Sequence, residues 1–513
     1  MSLSIDIVPL ADSLDMYGEP RSSSAYSLSG HVSIALSSPY SVFERRRPAR
    51  ILLQSVLLTF DGQTEVVTEK LGYSGIRLCS YSKSVELGPR TIELTNEGQE
   101  DTDEPCRWNI VFDLPIPGWL PASHDFAAGD IGASTQYFLH AVVQFLVLDD
   151  QRANPWSFST LCSPFRSRAR SIQTCKTITL RRFIEPPTDE PAPVGLVNYL
   201  LTGPSTEGAQ IPADVVSKIQ VLASVPKHVD VCDNVLPLTL RLRTKDLEDD
   251  HCKRLQLKQF AVEIFQEETF RRVTDVSVYQ TQYPLPSADC QPPNKPLLHA
   301  TIWNLGLFLN PSPNTTSTTC SGSLLPGGDS GIYYLTGDRH IFAEDAETAS
   351  WYTLETSIPI VHDLKSSLEG VPGASKLCPS GKSPIYGVSH SLKLTVTCEY
   401  EMPSGELVGA DLKFTIPLTF GRVAPPLPPR DILPALYTAM RLTDGSYPLM
   451  PELLPFCANL PAYSQLFDSQ GNRKMDATPL PLYSPRSSSD SETPVDLLPT
   501  FNEKQDILDA TTV

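Results

Sequence analysis

Two stretches in which apolar and polar residues alternate constrain the fold of this chain more than any other feature. In residues 391–398, Leu, Val and Cys alternate with Ser, Lys and Thr, and residues 412–420 repeat the pattern. A period of two places the apolar side chains on one face of a β-strand. The two strands and the turn between them predict a hairpin with one buried face. Pro417 cannot donate a ladder hydrogen bond, which predicts that the second strand lies at a sheet edge.

Similar apolar patterns predict strands along most of the chain, and no window in the first half shows a period of 3.6 residues. The predicted strands are 3–7, 31–36, 56–60, 108–114, 137–148, 177–184, 219–225, 236–242 and 260–265. The Asp61-Gly62 pair predicts a turn directly after the third of these strands. Many short strands separated by turn residues indicate an all-β protein with two immunoglobulin-like β-sandwich domains in tandem.

Clusters of proline and serine predict the domain boundaries. We expect a first sandwich over residues 1–187, a proline-containing linker over 188–213 and a second sandwich over 214–422. Residues 310–331 are poor in apolar residues and predict a disordered loop. Residues 423–513 carry Ser-rich acidic patches and many prolines, which a packed sheet could not accept. They predict a largely disordered Pro/Ser-rich C-terminal tail.

Charge and cysteine usage narrow the class of protein. The net charge of −18 argues against binding to nucleic acid, which needs a basic surface. The 11 cysteines include no CxxC pair, which is typical of reduced cytosolic thiols rather than a disulfide framework. The first residues lack the basic and apolar regions of a signal peptide, and the longest apolar run is too short to span a bilayer. We therefore expect a cytoplasmic protein. These features also oppose the alternative of a secreted carbohydrate-binding sandwich.

Four segments resemble the arrestin family, and specifically the fungal-type α-arrestins. Residues 27–34 (SLSGHVSI) resemble the early strand in which a Gly precedes a V-x-L pattern. Residues 112–123 (FDLPIPGWLPAS) resemble the F-x-L-P-I-P-x-x-L-P-x-S segment, and 137–143 (YFLHAVV) the strand that follows it. Residues 388–394 (VSHSLKL) are similar to the I-S-H-x-L-x-L strand. Together the segments extend the resemblance over residues 3–420, in the order that the family shows.

The resemblance implies two arrestin β-sandwich domains and a non-enzymatic trafficking adaptor. α-Arrestins link the cytosolic tails of plasma-membrane transporters or receptors to a HECT-type ubiquitin ligase, and the cargo is ubiquitinated and endocytosed. Such a protein is cytoplasmic and is recruited to the plasma membrane or endosomes. The alternative within the same fold is a scaffold in retromer-like sorting or in pH or nutrient signalling that recruits no ligase.

The tail contains two copies of the WW-domain ligand [L/P]-P-x-Y. Proline holds the backbone in polyproline II and packs on an aromatic groove, and the tyrosine enters a neighbouring pocket. Two copies could engage two WW domains of one ligase, which raises the avidity. Both copies have Leu where the stronger form has Pro. The predicted WW-binding residues are Leu460, Pro461 and Tyr463, and Leu480, Pro481 and Tyr483.

A second proline motif begins the tail. Pro425, Pro428 and Arg430 fit the SH3 ligand P-x-x-P-x-R, in which the arginine meets an acidic pocket. The same residues also fit a stiff spacer that leads away from the last strand, and we favour the spacer.

Basic clusters stand out in an acidic chain. They predict contacts with phosphorylated or acidic tails and with acidic lipid headgroups, hence peripheral membrane association, although solvated loops explain the first two clusters equally well. The residues are Arg45, Arg46 and Arg47, and Arg166, Arg168 and Arg170. By resemblance, Arg181 or Arg182 holds the place of a buried arginine in the interdomain polar core of some arrestins.

The tail also carries candidate modification sites. Ser487 and Ser489 each precede an acidic residue by three positions, which acidophilic kinases accept, and Lys474 lies between the two WW motifs as a candidate ubiquitin acceptor. A flexible solvated tail accounts for these residues as well.

We expect no enzymatic activity, no metal and no cofactor. Residues 328–331 (GDSG) match the sequence around a chymotrypsin-type serine, but the chain lacks a matching histidine context. There is no HExxH motif, no zinc-type Cys/His cluster and no phosphate-binding glycine loop.

Overall fold

β-Strands make up most of the residues that this computed structural model describes. The structure describes residues 2–38, 48–85, 92–98, 104–128, 131–148, 169–187, 195–202, 211–291, 315–328, 331–335, 338–343, 350–366, 375–425 and 507–509. The predicted all-β class is confirmed for these residues, because their few helices are short and their strands assemble into several sheets.

The first half of the chain contributes two sheets. Its strands are β1 (Ser2–Pro9), β2 (Ser13–Tyr17), β3 (Ala25–Ser37), β4 (Arg50–Thr68), β5 (Gly72–Val85), β6 (Ile92–Thr95), β7 (Cys106–Pro117), β8 (His124–Ala128), β9 (Ile131–Val147) and β10 (Ala169–Phe183). One sheet has the order β1-β3-β7. The other has the order β2-β10-β9-β4-β5, with β6 beside β4 and β8 beside β9. Apolar residues of both sheets, such as Ile34 and Phe60, share one buried cluster, which is a sandwich-like arrangement.

The second half contributes three sheets and the helices. Its strands begin with β11 (Leu196–Thr202), β12 (Ile219–Pro226), β13 (Val229–Asp230), β14 (Val235–Thr244), β15 (Leu255–Arg271), β16 (Ser317–Ser323), β17 (Gly331–Tyr334) and β18 (Tyr352–Pro359). They continue with β19 (Asp363–Ser366), β20 (Ser375–Lys376), β21 (Gly381–Lys382), β22 (Tyr386–Glu401), β23 (Leu407–Leu418), β24 (Phe420–Gly421) and β25 (Ile507–Asp509). The helices are α1 (Ala213–Val216), α2 (Asp249–Arg254) and α3 (Val276–Gln280), and the 3-10 turns are Ala288–Cys290 and Pro326–Gly328.

These strands again pack as layers around one apolar cluster. The five-stranded sheet has the order β18-β14-β12-β11-β25. The eight-stranded sheet has the order β20-β19-β16-β15-β22-β21, with β17 beside β15 and β23 beside β22. A two-stranded sheet joins β13 to β24. Leu240 of the five-stranded sheet and Leu394 of the eight-stranded sheet belong to the same buried cluster.

The hairpin predicted from alternation is confirmed. Strands β22 and β23 pair in antiparallel register, with Leu394 opposite Phe414. Alternate residues of β23 are buried and exposed along its whole length. Within the described part of the chain β23 pairs only with β22, so Pro417 lies on an edge strand as predicted.

The predicted linker 188–213 is wrong in its second part. Leu196–Thr202 is strand β11, which pairs with β12 and places Tyr199 opposite Ala223. The residues around it are rich in proline, but β11 itself contains no proline and is mostly apolar, and Leu201 is almost fully buried in the second apolar cluster. The second set of sheets therefore begins before residue 214.

The predicted disordered loop 310–331 is also wrong where the structure describes it. Ser317–Ser323 forms strand β16, with Thr319 opposite Thr269 of β15. Its Ser and Thr side chains suit a strand with one solvated face, because hydroxyl and β-branched groups tolerate both water and the pleated backbone. Cys320 is the buried residue of this strand.

The predicted turn at Asp61-Gly62 does not form. Strand β4 continues through both residues, with a register shift between Gly62 and Gln63. A Cβ atom on Gly62 would lie 2.5 Å from the Tyr137 ring, so glycine is required here by packing rather than by a turn. In the predicted disordered tail, the described residues Ile507–Asp509 form β25, which pairs in parallel with β11.

Candidate functional site at the domain interface

Arg181 forms an ion pair within the first half of the chain. The parallel pairing of β10 with β2 places Arg181 opposite Asp15. Its Nε donates to Asp15 Oδ1 at 2.8 Å and its Nη2 to Asp15 Oδ2 at 3.2 Å. The Arg181 side chain is 40% exposed, so this two-point pair contributes less than about 1 kcal/mol.

Arg182 points into a cage of backbone carbonyl groups. Its guanidinium donates to the carbonyl oxygens of Gly18 at 3.0 Å, Gly118 at 2.7 Å and Leu120 at 2.9 Å. Burial lowers the pKa of Arg182. Arg182 thus ties the turn after β2 to the turn after β7. Among the described residues, every hydrogen bond of the two guanidinium groups ends within the first half, and the interdomain polar core that the resemblance implies stays a prediction.

Aromatic rings join the two halves. The rings of His124 and Tyr386 stack with their centroids 4.8 Å apart, and Phe126 contacts Phe270 at 5.9 Å. We call these four residues the aromatic interface. Burial, followed by the charge of Arg422, lowers the pKa of His124 to about 4, so this histidine is neutral near pH 7. Burial, followed by the charge of Glu268, raises the pKa of Tyr386.

Backbone hydrogen bonds extend this contact. The Ile184 N–H donates to the Arg422 carbonyl at 2.9 Å, which joins the end of β10 to the segment after β24. The Val273 N–H donates to Ser74 Oγ at 2.7 Å. The Arg77 N–H donates to Gln291 Oε1 at 2.9 Å. The halves therefore meet through several segments that are far apart in sequence.

A buried Gln-x-Glu pair recurs in the long central strand of each half. In β15, Gln266 Nε2 donates to Glu268 Oε1 at 2.7 Å, and in β4 the Gln63 amide donates to the Glu65 carboxylate. All four side chains are at most 4% exposed. Our sequence reading missed both pairs. A signal was present in β15, because Gln266 and Glu268 are in phase with its buried apolar residues.

His390 is part of the same network in the second half. Its Nε2 lies 3.2 Å from Gln266 Oε1 and its Nδ1 2.8 Å from Ser380 Oγ. Since Gln266 Oε1 can only accept, Nε2 carries the proton and Ser380 donates to Nδ1. Burial lowers the pKa of His390 to about 3. The ring also packs at 4.5 Å from that of Phe420, so a neutral histidine anchors the last strands to β15.

Most of the predicted partner-binding residues lie outside the described residues. Arg170 is described, is exposed and lies near the start of β10, and Pro425 is exposed at the beginning of the tail. The positions of the others are not described, nor are Asp329 and Ser330 of the GDSG segment. They are Arg45, Arg46, Arg47, Arg166, Arg168, Pro428, Arg430, Leu460, Pro461, Tyr463, Lys474, Leu480, Pro481, Tyr483, Ser487 and Ser489.

The interface also borders an open cavity of about 330 Å³, which is lined by residues that include Ser123, His124, Tyr137 and Thr177. The described part of the chain groups no three His, Cys, Asp or Glu side chains in a way that could hold a metal ion. None of the described helices combines the length and the apolar character that a membrane crossing requires.

Comparison with known proteins assigns no family. The chain matches no protein-family model and no curated protein. The contacts at the interface and the motifs of the sequence are therefore the basis for a functional proposal.

Proposed function

We propose that the chain is a non-enzymatic adaptor of the arrestin type, with two tandem β-sandwich domains. The all-β body recognises the cytosolic tail of a membrane transporter or receptor. The proline-rich tail binds the WW domains of a HECT-type ubiquitin ligase, so that the cargo is ubiquitinated and endocytosed.

The observation that carries the proposal is the pair of Leu-Pro-x-Tyr motifs that follow an all-β body. Pro461 and Pro481 are 20 positions apart, each two residues before a tyrosine. Two ligands on one chain raise the overall affinity for a ligase with several WW domains, because the second contact forms within the complex. The family resemblance of residues 3–420 adds the expectation that the body binds cargo.

The contacts of the interface support the same division of roles. The aromatic interface and the backbone hydrogen bonds join the two halves to each other. These contacts use apolar and neutral groups rather than a catalytic arrangement of nucleophile, base and orienting acid. Such a body is suited to present a surface to another protein.

Tandem WW domains of a HECT ligase provide the test. The double variant Tyr463→Ala/Tyr483→Ala should lose the binding of the full chain to immobilised WW domains, and each single variant should weaken it by about 100-fold through the loss of avidity. The matched control is Tyr437→Ala/Tyr447→Ala, which removes two tail tyrosines that lie outside the motif. Undiminished binding by the first double variant would contradict the ligase role and favour the scaffold without ligase recruitment.

A further inference from the structure

A row of basic residues lies on the outer face of the five-stranded sheet. In β14, Leu240 and Leu242 are almost fully buried, and Arg241 and Arg243 alternate with them on the opposite face. Lys245 follows in the same phase and is exposed. The three cations therefore recur at every second residue along one line, about 7 Å apart.

The neighbouring strands complete this surface. Arg243 Nε donates to Gln220 Oε1 of β12 at 2.9 Å, and its guanidinium lies 4.2 Å from the centroid of the Trp351 ring. The Lys245 N–H donates to the Lys218 carbonyl at 2.9 Å, which extends the pairing of β14 with β12 and brings a fourth cation to the row. We call the four residues the basic face; they are Lys218, Arg241, Arg243 and Lys245.

The ion pairs of the described residues leave the basic face out. Among the residues that the structure describes, none of its four cations forms a salt bridge. Acids that sequence or strand register brings near the basic face include Asp214 on α1, Asp246 directly after Lys245, and Glu355, which lies opposite Thr239 of β14; Glu248, Asp249 and Asp250 follow at the start of α2. Four neighbouring cations with no ion pair among the described residues are a local exception in a chain with a net charge of −18, and such a group attracts phosphate.

We propose that the basic face binds the phosphate headgroups of an anionic lipid bilayer. Strand β14 is paired on both sides, with β12 and β18, so an acidic peptide could not add its backbone to this strand. Binding must therefore use the side chains of this strand. Because they lie on the outer face of a sheet, several of them can contact lipid headgroups at the same time.

The apolar residues of the same face fit a bilayer better than a soluble acidic ligand. Leu222 of β12 lies opposite Arg241, and Leu200 of β11 lies opposite Leu222, and both leucines are half-buried. Trp351 stacks on Arg243 at the other side. Tryptophan and aliphatic stems of basic side chains are favoured where lipid headgroups meet water. The proposal goes beyond ligase recruitment and does not depend on the tail motifs.

Vesicle sedimentation of the full chain tests this assignment. We expect binding to phosphatidylcholine vesicles that contain phosphatidylserine or phosphatidylinositol bisphosphate, and none to phosphatidylcholine alone. The variant Arg241→Gln/Lys245→Gln changes two exposed side chains without removing the stack on Trp351. It should weaken binding roughly 30-fold, since each basic residue near an anionic surface contributes about 1 kcal/mol.

The control Lys382→Gln/Lys413→Gln removes the same charge from exposed positions of β21 and β23 in the eight-stranded sheet and should bind as the wild type does. Equal losses of vesicle binding in both double variants would overturn the assignment, because binding would then depend on the total charge of the protein and not on the basic face. Wild-type binding that does not require anionic lipid would overturn it as well. If the first variant weakens binding of a synthetic phosphorylated peptide of residues 484–495 but not of vesicles, the face binds an acidic segment and the lipid assignment fails.

Discussion

Replacement of Arg182 by methionine should destabilise the first half of the chain far more than the same change at Arg181. The two arginines are adjacent on β10, but Arg182 donates three hydrogen bonds to buried turn carbonyls, whereas Arg181 forms a half-exposed ion pair with Asp15. Methionine keeps much of the length of the side chain and removes the donors. At about 1 kcal/mol for each hydrogen bond, Arg182→Met loses about 3 kcal/mol.

Differential scanning calorimetry of the full chain measures the difference. A loss of about 3 kcal/mol in a unit of this size lowers Tm by about 6–12 °C. Arg181→Met should lose less than about 1 kcal/mol, because solvent screens an exposed pair. Arg182→Lys should fall between the two, since one ammonium group cannot reach all three carbonyls. Equal shifts for the two methionine variants would refute the carbonyl cage as a source of stability.

Two further perturbations follow from buried groups. The folded-state pKa values of about 4 for His124 and about 3 for His390 lie below the unfolded value, so the unfolded state binds more protons below about pH 6.5. The free energy of unfolding should therefore fall by about 2 kcal/mol for each histidine between about pH 7.5 and about pH 5. The variant His390→Gln should lose the contribution of His390 to this pH dependence, which urea denaturation at several pH values measures. Gly30→Ala should cost about 3 kcal/mol, because the new Cβ would lie 2.5 Å from the rigid Val8 carbonyl. Gly409→Ala, whose Cβ would be 3.8 Å from the nearest atom, should be nearly neutral in the same denaturation assay, and similar losses in the two glycine variants would contradict the packing argument.

Strands with one solvent-exposed face and one buried face were predictable from the sequence, whereas other strands were not. The alternation of β23 follows from water on one side and the core on the other. Strand β11 is mostly apolar but shows no clean alternation, and the prolines on both sides of it indicated a linker. Strand β16 has few apolar residues, and its pairing with β15 compensates for them through backbone hydrogen bonds that leave no trace in composition.

The contacts of Arg181 and Arg182 were the least predictable feature. Asp15 and Arg181 are 166 positions apart, and only the parallel pairing of β2 with β10 brings them together. The resemblance implied an interdomain polar core at this part of β10, whereas the oxygen acceptors described for Arg182 are carbonyl groups of turns rather than carboxylates. Backbone carbonyls occur at every residue, so the sequence carries no signal for them.

Stability alone does not explain the buried Gln-x-Glu pairs. A well-packed apolar pair of the same volume would be at least as stable, because a buried carboxylate must be desolvated. The polar pair contributes directional hydrogen bonds, which set the relative positions of the segments that they join. The Gln266 side chain bonds to Glu268, to the Lys376 carbonyl, to the Cys378 N–H and to His390, so its amide fixes three segments relative to one another. Apolar contacts would tolerate sliding between these segments, whereas the hydrogen bonds of the Gln266 amide all form in one arrangement only. Burial and then the charge of Glu268 also raise the pKa of Tyr386, so the Glu268 of this pair lies close enough to act on a residue of the aromatic interface.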